Sequence, residues 1–174
     1  MSIQDRLQPA LLDRLTDDSR HQPTEGDEQR VMSKSQLRQA VLRDLGWLFN
    51  AIQPLYPLAE TSSAVLADCV LNFGLPPLAG QLASKVDIDF MERAIKQAIV
   101  RFEPRILPAT LEVRALEASS VLDTHNIIEF EIRGQLWSQP VPLEILLRTQ
   151  LDLEAGQVEV RDALALPSSR PRGR

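Results

Sequence analysis

A carboxylate and a guanidinium flank a single proline at Glu103-Pro104-Arg105, and these residues are the strongest candidates for a functional site. Proline disfavours a helical backbone at the residue before it and cannot continue a helix hydrogen-bond ladder. The tripeptide is therefore expected at a corner where a helix gives way to extended chain. Two uses of the charged pair remain open: a partner-binding site presented at the corner, or a local ion pair between Glu103 and Arg105.

The sequence gives little support for catalysis. A glycosidase needs two carboxylates about 5–10 Å apart in a cleft, and no pattern pairs Glu103 with a second one. Ser119, Ser120, Asp123 and His125 supply the residue types of a hydrolytic triad, but within one short loop. Triad residues converge from separate elements, so we interpret this loop as a solvated turn between strands. We predict that the protein is not an enzyme.

No cofactor, metal or small-molecule site is predicted either. The chain has two histidines, His21 and His125, which lie in a predicted linker and a predicted loop and cannot form a metal-binding pair. Gly74 and Gly80 are isolated glycines and form no phosphate-cradling loop. The formal net charge of −5 argues against nucleic acid as the main partner.

The sequence indicates a protein of a reducing, cytoplasmic compartment. Cys69 is the only cysteine, which excludes an internal disulfide, and its apolar surroundings predict a buried side chain. The first residues lack the basic segment and apolar run of a secretion signal. No apolar stretch approaches the roughly 20 residues needed to cross a bilayer. We therefore expect no direct membrane insertion.

The helix that leads to the corner is predicted to begin at Asp89, where Glu92 three residues later completes a capping box. Its apolar stripe consists of Met91, Ala94, Ile95, Ala98, Ile99 and Phe102. An earlier helix is predicted to begin after Ser33, with Gln36 as the second member of its capping box. Its apolar stripe consists of Leu37, Val41, Leu45, Leu48 and Ile52. A third helix is predicted from about Ser62 to Asn72, with Gly74 just past its end.

After Arg105 the apolar period changes from about 3.6 to 2, which is typical of strands. The predicted strands are Leu111–Ala115, Ile128–Leu136, Val141–Leu153 and a return strand with Val158 and Val160 after a turn. Alternation on one face predicts an antiparallel sheet with one wet side. Because helices precede strands, we predict an α+β fold, a two-layer domain of N-terminal helices packed on one face of a mainly antiparallel sheet.

The chain divides into three predicted regions. Residues 1–32 comprise a short docking helix and a flexible linker, residues 33–162 the α+β domain, and residues 163–174 a disordered tail. The short helix follows Pro9 and carries Leu11, Leu12 and Leu15. Its apolar face is too short to be stable alone, so it must dock on its own domain or on a partner.

Six stretches taken in order resemble the TssE family, the baseplate wedge subunits of bacterial type VI secretion systems. They are LLDRLTDD (11–18), LRQAVLRDLGWLFNA (37–51), VLNFGLPPLAG (70–80), AIKQAIVRFEPRI (94–106), EFEIRGQLW (129–137) and PLEILLRTQLDLEAGQVEV (142–160). Relatives of that family are the wedge proteins of contractile phage tails, grouped under a historical lysozyme-like label. Glu103-Pro104-Arg105 matches the family's Glu-Pro-Arg signature. Asn50-Ala51 departs slightly from the family's common Asn-Thr.

The resemblance implies a structural role in assembly. Subunits of this kind join TssF, TssG and TssK around a VgrG hub, in a baseplate docked at the inner membrane. They also template the first ring of a contractile sheath of TssB and TssC, whose subunits share strands. The resemblance implies that Glu103, Pro104 and Arg105 bind partners. The alternatives are a regulatory adaptor of the same fold family and, with little support, a peptidoglycan hydrolase.

Strand sharing would need an exposed sheet edge, because an added strand binds through main-chain hydrogen bonds. The strand Leu143–Leu153 and its hairpin mate Gln157–Arg161 are the candidates. Val141–Leu153 could equally be an ordinary interior strand. We hypothesise that one of the two docks the first sheath ring.

Overall fold

The computed structural model describes residues 10–15, 32–56, 64–77, 87–116, 127–138 and 140–164. In these ranges the helices are α1 (Leu11–Leu15), α2 (Lys34–Asn50), α3 (Ala64–Ala67) and α4 (Ile88–Phe102). The strands are β1 (Glu112–Ala115), β2 (Ile127–Leu136), β3 (Leu143–Asp152) and β4 (Gln157–Asp162). Short 3-10 segments cover Val70–Asn72 and Pro108–Thr110.

The strands form one antiparallel sheet in the order β1-β2-β3-β4. A turn in which Gly156 has φ of 65° joins β3 to β4. From Leu147 to Asp152, β3 pairs with β2 on one side and β4 on the other. The hypothesis that β3 is an edge strand is therefore wrong over most of its length, and β4 is the outer strand of the hairpin.

Both long helices pack on the same face of this sheet, with α2 against β4, α4 against β1, and the two helices in contact. The alternating residues of each strand point into this layer, so that Phe130, Ile132 and Leu147 are almost completely buried. From α2 and α4, Leu45 and Met91 meet them there. The predicted α+β, two-layer fold is confirmed.

One of the two predicted capping boxes is confirmed. The Gln36 N–H donates to Ser33 Oγ (3.2 Å), and the Ser33 N–H donates to Gln36 Oε1 (2.8 Å). The box predicted for Asp89 and Glu92 is wrong. Helix α4 begins one residue earlier, and its cap is Asp87, whose carboxylate accepts from the N–H of Phe90 at 3.0 Å.

The predicted helix 62–72 is wrong in its described part, because α3 ends at Ala67 and a separate 3-10 turn follows. Val65 and Val70 are each 79% exposed, and Cys69 is half-buried rather than buried. Gly74 follows this turn with φ of 132°. A Cβ there would lie 2.4 Å from the Ala51 carbonyl oxygen, so the position requires glycine.

Several predictions concern residues outside the described ranges. They are the linker after Leu15, most of the tail, and the loop with Ser119, Ser120, Asp123 and His125. The domain boundaries also stay predictions. At the tail's start, Ala163 still donates its N–H to the Leu146 carbonyl oxygen at 2.8 Å, one residue beyond the predicted domain.

Candidate partner-binding site

The corner predicted at Pro104 lies where α4 ends. The Glu103 N–H makes the last helical bond, to the Ile99 carbonyl oxygen at 2.8 Å, and the Ile106 N–H then donates to the Glu103 carbonyl oxygen at 3.1 Å. This turn reverses the chain toward the sheet. Pro104 sits exposed at its tip, as expected for a residue without an N–H to donate.

Glu103 and Arg105 meet below the proline in a two-pronged ion pair. Arg105 Nε donates to Glu103 Oε1 at 2.6 Å, and Arg105 Nη2 donates to Oε2 at 2.5 Å. The backbone N–H of Arg105 also donates to Oε1, at 3.2 Å. Glu103 is only 3% exposed, and the side chain of Arg105 is 23% exposed. The local ion pair considered from the sequence is thus present, and it holds the guanidinium in one orientation.

Asp44 of α2 is the third member of this cluster, and sequence reasoning missed it. Its Oδ2 accepts from Arg105 Nη2 at 2.5 Å, across a separation of 61 residues. Its Oδ1 accepts from Arg43 Nε at 2.9 Å. Arg43 Nη1 in turn donates to Asp13 of α1 at 2.6 Å. We call Asp13, Arg43, Asp44, Glu103 and Arg105 the corner network.

The electrostatics keep both arginines of the network charged. Burial alone lowers the pKa of Arg105, but the hydrogen bonds and charges of Glu103 and Asp44 outweigh it and raise the pKa above its ordinary value. The pKa of Arg43 is raised chiefly by its hydrogen bond to Asp13. Arg105 Nη1 is buried and has no hydrogen-bond partner among the described residues.

Helix α1 contacts the domain through its acidic residue, Asp13, which pairs with Arg43 of α2. The side chain of Asp13 is 12% exposed, whereas Leu11 and Leu15 are 72% and 73% exposed. The helix therefore contacts its own domain, as one of the two alternatives expected. Two of its three leucines, Leu11 and Leu15, nevertheless stay mostly exposed.

Beside the network, Trp47 extends the exposed surface of α2. Its ring lies 5.1 Å from the Arg43 guanidinium carbon, in cation–π geometry, and the residue is 53% exposed. Large exposed aromatic side chains and arginines are enriched in protein interfaces. The surface around the corner therefore has the composition of a contact site for another protein.

Side chains from the helices bind the sheet edges at three places. Glu92 Oε1 accepts from the outward N–H of Ala115 in β1 at 2.7 Å. Asn50 bonds to both the N–H and the carbonyl of Val158 in β4. Arg38 Nη2 donates at 2.8 Å to the carbonyl of Glu144, in the part of β3 that precedes the pairing with β4.

The described residues contain no alternative site with clear chemistry. No group of three or more His, Cys, Asp or Glu side chains in these ranges could hold a metal ion. The wet face of the sheet has a shallow depression of about 360 Å³, bordered by Arg133, Glu144 and Leu164. It has no nucleophile with a base beside it. No helix in the described ranges is long and apolar enough to cross a membrane.

A family model described as baseplate wedge protein gp25 matches residues 35–141. The chain belongs to the baseplate wedge protein gp25 family. This is also the family of TssE, so the resemblance seen in the sequence is confirmed at the family level. Comparisons with curated proteins and with solved structures gave no match.

Members of the gp25 family are structural proteins of phage-tail-like baseplates, and they interact with other baseplate proteins. The matched range includes α2, α4, the corner, β1 and β2. The hairpin of β3 and β4 follows the matched range.

Proposed function

We propose that this chain is the wedge subunit of a type VI secretion baseplate. It joins TssF, TssG and TssK around a VgrG hub, at a baseplate docked on the cytoplasmic side of the inner membrane. It also anchors the first ring of a TssB–TssC sheath. Membership of the wedge family supports the baseplate role, and the resemblance of stretches from 11–18 to 142–160 supports the assignment to type VI secretion.

The observation that carries the proposal is the fixed orientation of Arg105 beside an exposed Pro104. Glu103 is buried, and both of its carboxylate oxygens accept hydrogen bonds from Arg105. In the proposed site, Glu103 therefore positions Arg105, while Pro104 and the exposed part of the Arg105 side chain contact the partner. An arginine already held in place loses less side-chain entropy on binding. The same burial and pairing make Glu103 a poor general acid, which disfavours the hydrolase alternative.

The sheath contact is assigned to β4, because β3 has neighbours on both sides along most of its length. A strand from a sheath subunit would add to the outer edge of β4 through main-chain hydrogen bonds. The polar residues Glu159 and Arg161 on the wet face would lie next to the incoming strand without blocking it.

Proline substitutions in β4 test this assignment. The N–H of Val160 points outward, whereas the N–H of Arg161 points to β3, as the alternation of antiparallel pairs requires. We expect V160P to remain folded and R161P to lose a ladder bond and stability. V160P should abolish sheath assembly, measured by electron microscopy of sheaths and by secretion. Normal sheaths on folded V160P protein would refute the β4 assignment.

Co-purification tests the baseplate role separately. We expect wild-type protein to co-purify with TssF and TssG, and V160P to do so equally well, because the corner ends α4, which packs against β1 at the other side of the sheet from β4. A protein that is stable and abundant but recovered without baseplate subunits would favour the regulatory adaptor.

A further inference from the structure

The outer edge of β4 is occupied at Val158 and open at the next outward-facing residue, Val160. The Ala163 N–H bonds to Leu146 in β3, so the odd-numbered residues of this strand face β3 and the even-numbered ones face outward. Asn50 occupies the outward N–H and carbonyl of Val158. Among the described residues, the outward N–H and carbonyl of Val160 have no hydrogen-bond partner.

Helix α2 runs antiparallel to β4 along this edge and is tied to it near both ends. Asn50 bonds to Val158 at one end, and Arg38 Nε lies 3.5 Å from Asp162 Oδ2 at the other. Gly46 precedes Asn50 by one helical turn, about 6 Å, and Val160 follows Val158 by two strand residues, about 7 Å. Gly46 is therefore level with Val160.

Gly46 leaves empty space at this level. A Cβ built on it would meet no atom within 4 Å. Glycine is unfavourable in the interior of a helix, and close packing does not require it here, unlike at Gly74. The space therefore lies at the level of the open backbone groups of Val160, next to the position that Asn50 occupies.

We propose that Gly46 and Asn50 determine how a partner strand adds to β4, which rests on the proposed sheath role. The incoming strand exchanges hydrogen bonds with Val160, and the space at Gly46 admits the side chain that it directs toward α2. Asn50 stops the pairing before Val158 and so sets the register. Leu42, one helical turn before Gly46, and Val160 are both half-buried and pack against the core, so we expect the admitted side chain to be apolar. The partner segment is extended, with an apolar residue facing α2 and polar neighbours facing water.

The experiment compares G46A, G46L and the control Q97L, which adds the same side chain at an exposed position of α4. Binding of purified sheath subunits of the same secretion system is measured, together with hydrogen exchange at the amide of Val160. We expect sheath binding to protect this amide in the wild type. G46L should weaken binding at least about tenfold without lowering the melting temperature, and Q97L should bind normally. G46A should melt about 2–4 °C higher, since alanine favours the helix.

Two results would overturn the proposal, and they are distinguishable. If sheath subunits protect Val160 in both the wild type and G46L with equal affinity, strand addition stands but the role of Gly46 is wrong. If wild-type protein binds no sheath subunit, the sheath role fails together with the inference from it. A third variant, N50A, checks the register: protection that extends to the amide of Val158 supports Asn50 as the stop, and unchanged protection contradicts it.

Discussion

Asn50 satisfies both backbone groups of Val158 with one side chain. Its Nδ2 donates to the Val158 carbonyl oxygen at 2.8 Å, and its Oδ1 accepts from the Val158 N–H at 2.9 Å. The amide thus takes the place of a neighbouring strand at the start of β4. An edge strand with all its outward groups free invites uncontrolled pairing, so this contact limits where pairing can occur.

Substitution of Asn50 should destabilise the fold, and a negatively charged replacement should do so at least as strongly as a neutral one. N50A leaves two outward groups without a side-chain partner and should lower the free energy of unfolding by about 1–2 kcal/mol. N50D keeps the acceptor for the Val158 N–H but brings a carboxylate next to the Val158 carbonyl oxygen. We expect N50D to be at least as destabilised as N50A in urea titrations. Equal stability of all three proteins would show that solvent replaces the amide without loss.

The corner network predicts that Glu103 contributes more to stability than an exposed ion pair would. E103A leaves the half-buried Arg105 with Asp44 as its remaining carboxylate, and we expect a loss of about 1–3 kcal/mol. D44A should cost less, because the two-pronged contact with Glu103 remains. Thermal and urea unfolding of the two variants measure this order. A larger loss in D44A would mean that Asp44, and not Glu103, is the main brace.

Substitution of Pro104 can distinguish a role of the corner in partner binding from a role in stability. Its side chain is exposed, so P104A should change stability by less than about 0.5 kcal/mol. If the corner binds baseplate subunits, P104A and R105K should both recover less TssF and TssG in co-purification. R105K keeps the charge but loses the fork that binds Glu103 and Asp44 together. Full recovery with both variants would limit the corner to a structural role.

Alanine should lower the free energy of unfolding at Gly74 and raise it at Gly46. G74A places a Cβ against the backbone of Ala51 at a φ that alanine rarely adopts, and we expect a loss of at least about 2 kcal/mol. G46A meets open space and should gain about 0.5–1 kcal/mol from helix propensity. Differential scanning calorimetry of both proteins measures the contrast. Destabilisation of G46A would reveal crowding at that position.

Removal of residues 1–30 should leave a cooperatively folded domain. Helix α1 contacts α2 through Asp13 and Arg43, while Leu11 and Leu15 stay exposed, so the core loses little apolar contact with it. We expect the melting temperature to fall by no more than about 4 °C, and D13N to reproduce part of that fall. Incorporation into the baseplate should weaken. A truncated protein without a cooperative transition would place α1 in the core.

Local features of the chain could be read from the sequence because they depend on neighbouring residues. The Ser33 cap of α2, the alternation along β3 and the stop at Pro104 were predicted in the right places. The apolar stripe of α2 was right except at Ile52, which lies beyond the end of the helix and is 63% exposed. Each follows from side-chain spacing or from the fixed backbone angle of proline, which act within a few residues. The family signature at the corner was equally visible.

The tertiary structure decided which partners those residues take. Glu92 was expected to cap its own helix, yet it binds Ala115, and Asp44 gave no sign that it would share Arg105 with Glu103. Asn50 and Val158 lie 108 residues apart, so their contact exists only once α2 has packed along β4. Strand alternation likewise says which face of β3 is buried, but it carries no information on whether another strand lies beyond it. Sequence periodicity thus determined the two long helices, the strands and their buried faces, but not the short helix before Gly74. Contacts between distant elements determined the site and the outer edge of the sheet, because a hydrogen bond depends on distance in space rather than along the chain.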